Sequence, residues 1–333
     1  MKTEAPKKSE TVLVTGGCGY IGSHVARQLT DAGHKAIVLD NLSTGFRDLL
    51  VRNELLVEGN CGDKDIVTKI IRDHHITTVM HFAASTVVPE SVASPIKYYE
   101  NNVGASLALI GASVGAGVKN FIFSSTGSVY GEAAPVPASE HHRLDPSNPY
   151  SRSKMITEVM LQDIAAATGL NYVILRYFNV AGADPEGRQG QKSKSATHLI
   201  KIASEVVCGK RKSLSVFGTD YDTADGTGVR DYIHVEDLAS AHLAAMTHLT
   251  RGGTSDTFNC GYGHGFSVLE VVKSIENVTG KRLEVKLEPR RPGDISSSVA
   301  DNRKIKEVLG WKPQYDDLTK IVQHAVRWEN SLI

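Results

Sequence analysis

Tyr150 and Lys154 stand four residues apart in the stretch Tyr150-Ser151-Arg152-Ser153-Lys154. In a helix, side chains at that spacing lie one above the other on a single face. An ammonium beside a phenol favours the phenolate, which brings the tyrosine pKa down towards the range of a general base. The same spacing also fits a solvated Tyr/Lys face, so the surrounding sequence has to decide between the two. Thr126, at the end of Phe121-Ile122-Phe123-Ser124-Ser125-Thr126, offers a hydroxyl for the oxygen that Tyr150 would deprotonate.

The elements that must position these groups begin with the β-rich run Thr11-Val12-Leu13-Val14-Thr15. It leads straight into Gly16-Gly17-Cys18-Gly19-Tyr20-Ile21-Gly22, after which Ile21, Val25 and Leu29 repeat at helical spacing until Gly33. A second strand over 36–39 ends in Asp40. Strand, glycine turn, helix and acid-tipped strand form the context of a dinucleotide site. Gly16, Gly19 and Gly22 let backbone approach a pyrophosphate at a helix N-terminus. Asp40 can accept from a ribose diol and would repel a 2′-phosphate, so the expected cofactor is NAD rather than NADP.

The alternation continues with strands over 55–59, 78–82 and 121–123 and helices over 66–74 and 105–114. That order gives an α/β, Rossmann-type doubly wound parallel sheet, whose ligands gather at the carboxyl ends of the strands. Thr126 and the helix that starts near Tyr150 then share one rim. The expected division is a disordered tail over 1–10, an NAD-binding domain over 11–180 and a smaller C-terminal α/β substrate domain over 181–333. A helix over 235–249 is expected to pack back on the nucleotide domain.

Composition excludes several classes. Lys+Arg and Asp+Glu both number 37, for a net charge of +0, so no nucleic-acid or anionic membrane surface is expected. No apolar run approaches a spanning length. Cys18, Cys61, Cys208 and Cys260 lack CxxC spacing and read as reduced thiols of a cytoplasmic protein. His74-His75 and His141-His142 are adjacent pairs whose side chains diverge, so no metal is expected, and His234 reads as a satisfied, half-buried strand residue.

With its glycine turn, its strand-end Thr126 and its YxxxK pair, the chain resembles the extended short-chain dehydrogenase/reductase family. Within it the closest resemblance is to the UDP-glucose (UDP-galactose) 4-epimerases. The matching stretches include Leu39-Asp40-Asn41-Leu42, Tyr98-Tyr99-Glu100-Asn101-Asn102-Val103, Leu175-Arg176-Tyr177-Phe178-Asn179 and Gly226-Thr227-Gly228-Val229-Arg230-Asp231-Tyr232-Ile233-His234-Val235. The last is the most particular to the 4-epimerases. The resemblance implies an NAD-dependent isomerase that interconverts UDP-galactose and UDP-glucose at C4 through a 4-keto intermediate. Tyr150 would be the base, Lys154 would tune it and hold the nicotinamide ribose, and Thr126 would steady the sugar oxygen. Dehydratase relatives follow the strand-end threonine with Asp-Glu; here Gly127 and Ser128 follow, and they cannot do that acid-base work.

Other cofactor contacts implied by the resemblance are Tyr20, Ile21, Asn41, Leu42, Ser43, Thr44, Gly45, Asn60, Cys61, Phe82, Ala83, Ala84, Ser85, Thr86, Asn101, Ser124 and Phe178. Two positions depart from it. Asn60 stands where many relatives carry Asp, and Ala84-Ser85-Thr86 lacks a lysine that bacterial members carry, which removes one positive contact to the cofactor.

For the UDP-sugar, Arg230 and Arg291 suit phosphate oxygens, because guanidinium forks match them, although a lone arginine is more often a surface ion-pair partner. Asn179, Leu199, Val216, Phe217 and Asp294 would complete the uridine-diphosphate site by the same resemblance. Ser298 occupies the family position that walls the sugar pocket. A tyrosine there restricts the pocket to unacetylated hexoses; serine leaves room for a 2-acetamido group, so UDP-GalNAc and UDP-GlcNAc become candidate substrates unless neighbouring side chains refill the space. The polar loop over 184–196 reads either as an excursion near the substrate entrance or as a solvated linker. Apolar stripes over 105–114 and 155–167 match a four-helix homodimer contact in relatives and equally fit core packing. A UDP-pentose 4-epimerase, a net oxidoreductase of the same fold and a non-catalytic NAD sensor are the alternatives.

Overall fold

The computed structural model describes residues 9–132, 134–193, 196–291 and 294–333. Of the tail expected over 1–10, residues 1–8 therefore lie outside the described residues. Ser9 Oγ donates to the Gly33 carbonyl at 2.8 Å, and the Glu10 amide donates to His34 Nδ1 at 3.1 Å.

The chain runs β1 (Thr11–Thr15), α1 (Tyr20–Asp31), β2 (Lys35–Asp40), β3 (Leu55–Glu58), α2 (Lys64–His74), β4 (Thr78–His81), α3 (Val88–Ala93), α4 (Pro95–Tyr98), α5 (Ala105–Gly115), β5 (Asn120–Ser124), α6 (Pro149–Thr168) and β6 (Asn171–Tyr177). It continues through β7 (Asn179–Ala181), α7 (Leu199–Val207), β8 (Leu214–Phe217), β9 (Val229–Arg230), β10 (Tyr232–His234), α8 (Val235–Thr250), β11 (Asp256–Cys260), β12 (Phe266–Ser267), α9 (Val268–Thr279), β13 (Val285–Glu288), β14 (Ser297–Ser298), α10 (Arg303–Leu309) and α11 (Leu318–Ser331).

Seven strands form one sheet in the order β11-β6-β5-β4-β1-β2-β3, and each neighbouring pair is parallel. Strand residues alternate between its two faces. Val12, Val14, Val38, Met80 and Val173 join the core that includes Val25 of α1 and Leu238 of α8. Leu13, Ile37, Val79, Phe121 and Ile174 face Ile70 of α2, Leu109 of α5 and Leu161 of α6. With helices on both faces and every pair parallel, the fold is the doubly wound α/β sheet that the strand-helix alternation predicts. β1 has β2 on one side and β4 on the other, so a crevice opens at their carboxyl ends, where Gly16 and Phe82 lie.

The helix of the Tyr/Lys pair has local causes. Asn148 caps α6 by accepting from the Ser151 amide, Pro149 takes the first turn, and Gly169 ends the helix with φ +73°. A π-helical turn over Tyr99–Gly104 carries Asn101 and Asn102 to the crevice before α5 begins.

Two features lie beyond local pattern. β11 joins the sheet beside β6 at its far edge. The single strand expected over 230–235 is instead two: β9 pairs with β12 and β14, and β10 pairs with β7. The break is at Asp231. Its buried carboxylate accepts the amides of Tyr262, Gly263 and Ala300 at 2.8, 3.0 and 3.2 Å and so ties three separate segments to one point. No described helix is long and apolar enough to cross a membrane.

Candidate active site

The glycine turn is shaped by close approach. A Cβ on Gly16, whose φ is +71°, would sit 2.6 Å from the Ala83 amide nitrogen, and one on Gly22 would sit 2.4 Å from the Gly16 carbonyl oxygen. Only glycine fits either place. The turn, the N-terminus of α1 and the 82–83 backbone thus converge on a surface that a pyrophosphate can approach closely. Asp40 ends β2 with its carboxylate receiving the Cys18 and Leu42 amides at 2.9 and 2.8 Å. Each oxygen keeps a lone pair for a ribose hydroxyl. This glycine cradle and acid fit NAD.

The remaining cofactor residues surround the same crevice. Asn102, which the sequence reading passed over, clamps Ser85: its Oδ1 accepts the Ser85 amide at 2.8 Å, and its Nδ2 donates to the Ser85 carbonyl and Ser153 Oγ, both at 3.0 Å. Asn101 Nδ2 donates to Ser85 Oγ at 3.1 Å. The loop that carries residues 83–86 is thereby held against α6. Asn60 Oδ1 accepts the Gly62 amide at 2.8 Å, and burial pushes the Cys61 thiol up to about 11. Tyr20 reaches away from the turn, its hydroxyl donating to the Gly182 carbonyl at 2.7 Å. The Phe178 ring lies against Gly127, whose missing Cβ leaves the space it needs.

At the centre, Tyr150 hydrogen-bonds Thr126, so helix and strand end meet as expected. Burial pushes the Tyr150 phenol up to about 12, with the Thr126 bond opposing it. The expected depression by Lys154 does not appear. Lys154 donates to the Ser124 carbonyl at 2.9 Å and sits 4.9 Å from the centre of the Phe123 ring. Burial brings the Lys154 ammonium down to about 8, against the field of Glu158. Desolvation outweighs the helical pairing at both residues.

Two buried histidines support this floor. His242 Nδ1 faces the Leu238 carbonyl at 2.9 Å and must carry the proton, so Nε2 accepts from Ser124 Oγ at 2.8 Å. Ser106 gives its proton to the Asn102 carbonyl, so His81 Nε2 donates to Ser106 at 2.8 Å, and Nδ1 accepts from Thr15 at 2.7 Å. Burial holds His242 down at about 4, and burial with the Lys154 charge holds His81 at about 3. His234 is fully buried rather than half-buried, with Nε2 2.9 Å from His324 Nδ1. Among the described residues no cluster of three or more His, Cys, Asp or Glu could hold a metal ion.

The C-terminal half brings the other candidates into two groups. Arg230 and Ser298 face each other in register across β9 and β14, and the Asp231 amide donates to the Ser298 carbonyl at 3.0 Å. The Arg230 guanidinium donates only to its neighbouring Val229 carbonyl, at 2.9 Å, among the described residues. Arg291 stacks 4.4 Å over Phe217 and donates to Asp294 at 2.9 Å. Tyr221 links the groups. Its ring lies under Arg290 at 4.2 Å, and its hydroxyl feels Asp294, Arg290, Arg230 and Arg291 while lacking a hydrogen-bond partner among the described residues. Asn179 and Leu199 line a small cavity of about 20 Å³ below. Val216 buries its side chain in the core, leaving only its backbone for a ligand.

The model of the NAD dependent epimerase/dehydratase family matches residues 12–261. The chain belongs to that family. A UDP-glucose 4-epimerase of Azospirillum brasilense is 53% identical over 99% of this chain and 95% of its own length. Among solved structures, a UDP-glucose 4-epimerase from Brucella ovis in complex with NAD has a TM-score of 0.94 at 42% identity, covering 97% of this chain and 99% of its own. A UDP-Glc/GlcNAc 4-epimerase from Campylobacter jejuni has a TM-score of 0.85 at 44% identity, covering 97% and 100%. Membership of this NAD-dependent family agrees with the glycine cradle and Asp40.

The histidines make stability depend on pH. Their folded pKa values lie below the unfolded value near 6.5, so the stability of their neutral forms is complete above that value and is lost as pH falls towards about 4 for His242 and about 3 for His81. Each withheld proton steepens the decline by about 1.4 kcal/mol per pH unit. Denaturant titrations between pH 7 and 5 should show His242→Gln losing one proton's worth of that slope. An unchanged slope would mean that His242 is not neutral in the fold.

Proposed function

We infer that the chain interconverts UDP-galactose and UDP-glucose at C4, with Tyr150, Lys154 and Thr126 as its catalytic residues. The observation that carries this reading is the Tyr150–Thr126 hydrogen bond at the rim shared with the glycine cradle. Bound NAD would take the C4 hydride and return it to the other face of the sugar. Tyr150 removes the proton from the C4 hydroxyl and later restores it, so proton and hydride both return and no net redox change remains. Thr126 hydrogen-bonds at the same oxygen. Lys154, protonated at neutral pH and anchored on Ser124, holds the nicotinamide ribose and supplies positive charge beside the base.

The UDP half is assigned to Arg230 and Arg291, with Asn179, Leu199, Phe217, Asp294 and the Val216 backbone around them. Two stacked arginines on a cluster joined by Tyr221 support a doubly charged diphosphate as its ligand. The small side chain of Ser298, opposite Arg230, supports a pocket that also admits 2-acetamido sugars. The likeness to a Campylobacter jejuni protein named for both UDP-Glc and GlcNAc points the same way.

The protein is further proposed to work as a homodimer. Val92, Ile96, Leu107 and Val159 are exposed apolar side chains on the neighbouring helices α3, α4, α5 and α6. An apolar patch of that kind suits a self-complementary face.

Purified protein given UDP-galactose with no added NAD should form UDP-glucose, and Tyr150→Phe should lower the rate by about 10²–10⁴-fold. No product even after NAD is supplied would overturn the hexose reading and send attention to UDP-pentoses. Ser298→Tyr should abolish turnover of UDP-GalNAc and spare UDP-galactose; failure of the unmodified protein to act on UDP-GalNAc removes the open-pocket reading. Sedimentation should give twice 36.0 kDa, and Ile96→Glu with Leu107→Glu should give monomers. A monomer at every concentration of the unmodified protein contradicts the dimer.

A further inference from the structure

Tyr150 is one end of a longer chain of hydroxyls. It bonds Thr126; Thr126 Oγ1 lies 2.9 Å from Ser128 Oγ; Ser128 Oγ lies 3.0 Å from Ser151 Oγ; and Ser151 Oγ lies 3.0 Å from Asn148 Oδ1. Thr126 and Ser151 are buried, whereas Ser128 is exposed in the short turn Gly127–Tyr130. Neither Ser128 nor Ser151 has a part in the reaction as described above.

Proton counting sets the direction of the chain. Each hydroxyl has one proton to give. Asn148 Oδ1 only accepts, and the Ser151 amide, donating to it at 2.9 Å, establishes that this atom is the oxygen. Ser151 therefore has one proton and two acceptors at equal distance, Asn148 and Ser128. If it donates to Asn148, Ser128 donates to Ser151, Thr126 donates to Ser128, and Thr126 is left accepting from a Tyr150 phenol. If it donates to Ser128, every bond turns round: Ser128 donates to Thr126, and Thr126 donates to a Tyr150 phenolate. The Ser128 amide, 3.2 Å from Thr126 Oγ1, donates in both cases. The two arrangements differ only by rotation of three O–H bonds, with no heavy atom displaced.

We propose that Ser128 and Ser151 are positioning residues for the proton transfer, forming a hydroxyl chain whose direction reverses each time Tyr150 gives up or regains its proton. This rests on Tyr150 as the base. The transferred proton moves only between the C4 hydroxyl oxygen of the sugar and the Tyr150 oxygen. Ser128, Ser151 and Thr126 keep their own protons, so atoms and charge balance within that pair. The reversal presents Thr126 as a donor when the phenolate exists and as an acceptor when the phenol does. Bonds to a charged acceptor are stronger than neutral ones, and linked hydroxyls reinforce one another, so an intact chain favours the phenolate more than the phenol. The other ionisable groups around Tyr150 are Lys154 one turn along α6, Tyr177 on β6 and Tyr98 on α4.

The test is the pH profile of kcat/KM for UDP-galactose, measured on protein that retains its NAD. It reads the limb on which activity rises as Tyr150 ionises. Ser128→Ala should move that limb up by about half a pH unit to one unit, lowering activity near neutral pH by about three- to tenfold while leaving the alkaline plateau and the NAD content unchanged. Ser151→Ala, in a helix that tolerates alanine, should shift it in the same direction by less. Ser128→Thr, which keeps the hydroxyl, should restore the original limb. A fall in activity at every pH with the limb unmoved, or failure of threonine to rescue, overturns the chain. Tyr150→Phe separates the two ideas: if it keeps both turnover and the limb, the base assignment fails and this proposal with it. If it abolishes both while the serine variants leave the limb in place, only the chain fails.

Discussion

The site hangs on a buried ion pair behind it. Tyr150, Lys154 and Glu158 occupy successive turns of α6, and Glu158, one turn beyond the lysine, is gripped by Arg176 of β6. Arg176 Nε lies 3.1 Å from both carboxylate oxygens, and Nη2 lies 2.6 Å from one of them. Ser125, beside Thr126, gives its hydroxyl to the same carboxylate. Arg176 Nη1 reaches the Tyr130 hydroxyl at 3.0 Å, which donates to Asn259 of β11 at 2.7 Å. A buried pair of charges is tolerated when its remaining bonds are satisfied, and breaking one partner out of it costs about 3–5 kcal/mol. The network therefore sets where α6 sits relative to the ends of β5 and β6, and so the distance between Tyr150 and Thr126.

Burial does double duty at this spot. It brings Lys154 down and pushes Tyr150 up, opposite shifts that narrow the gap between an ammonium and a phenol. The same dryness holds His81 and His242 neutral, which fixes their tautomers and hence the direction of the bonds to Thr15 and Ser124. The floor of the site is rigid because its donors and acceptors are paired off in one consistent way.

The C-terminal half reaches this floor through the sheet itself. β11 lies beside β6, α8 packs on α1, and one apolar core runs from Val12 and Val173 to Ile200, Val271 and Ile321. Asp231 ties β9 and β10 to the 262–263 turn and to Ala300, which sets Arg230 and Ser298 face to face.

What the sequence determined by itself was local or repeated: the strand, glycine turn and helix at 11–29, the acid at Asp40, the strand-helix alternation that makes the sheet parallel, and the Tyr/Lys spacing of a helix begun by Asn148 and Pro149. These are legible because period, breakers and caps act over a few residues. Tertiary structure alone decided the rest. β11 is a five-residue run whose partner lies about eighty positions earlier, so nothing nearby announces it. The continuous apolar run at 230–235 hid a break, because the amides that stop it at Asp231 come from distant segments. The Tyr150 and Lys154 shifts follow from desolvation, a property of everything packed around them rather than of their spacing. Ser128 and Ser151 show as ordinary polar residues until folding lays their hydroxyls end to end, since a hydrogen bond depends on distance and direction in space and not on separation along the chain.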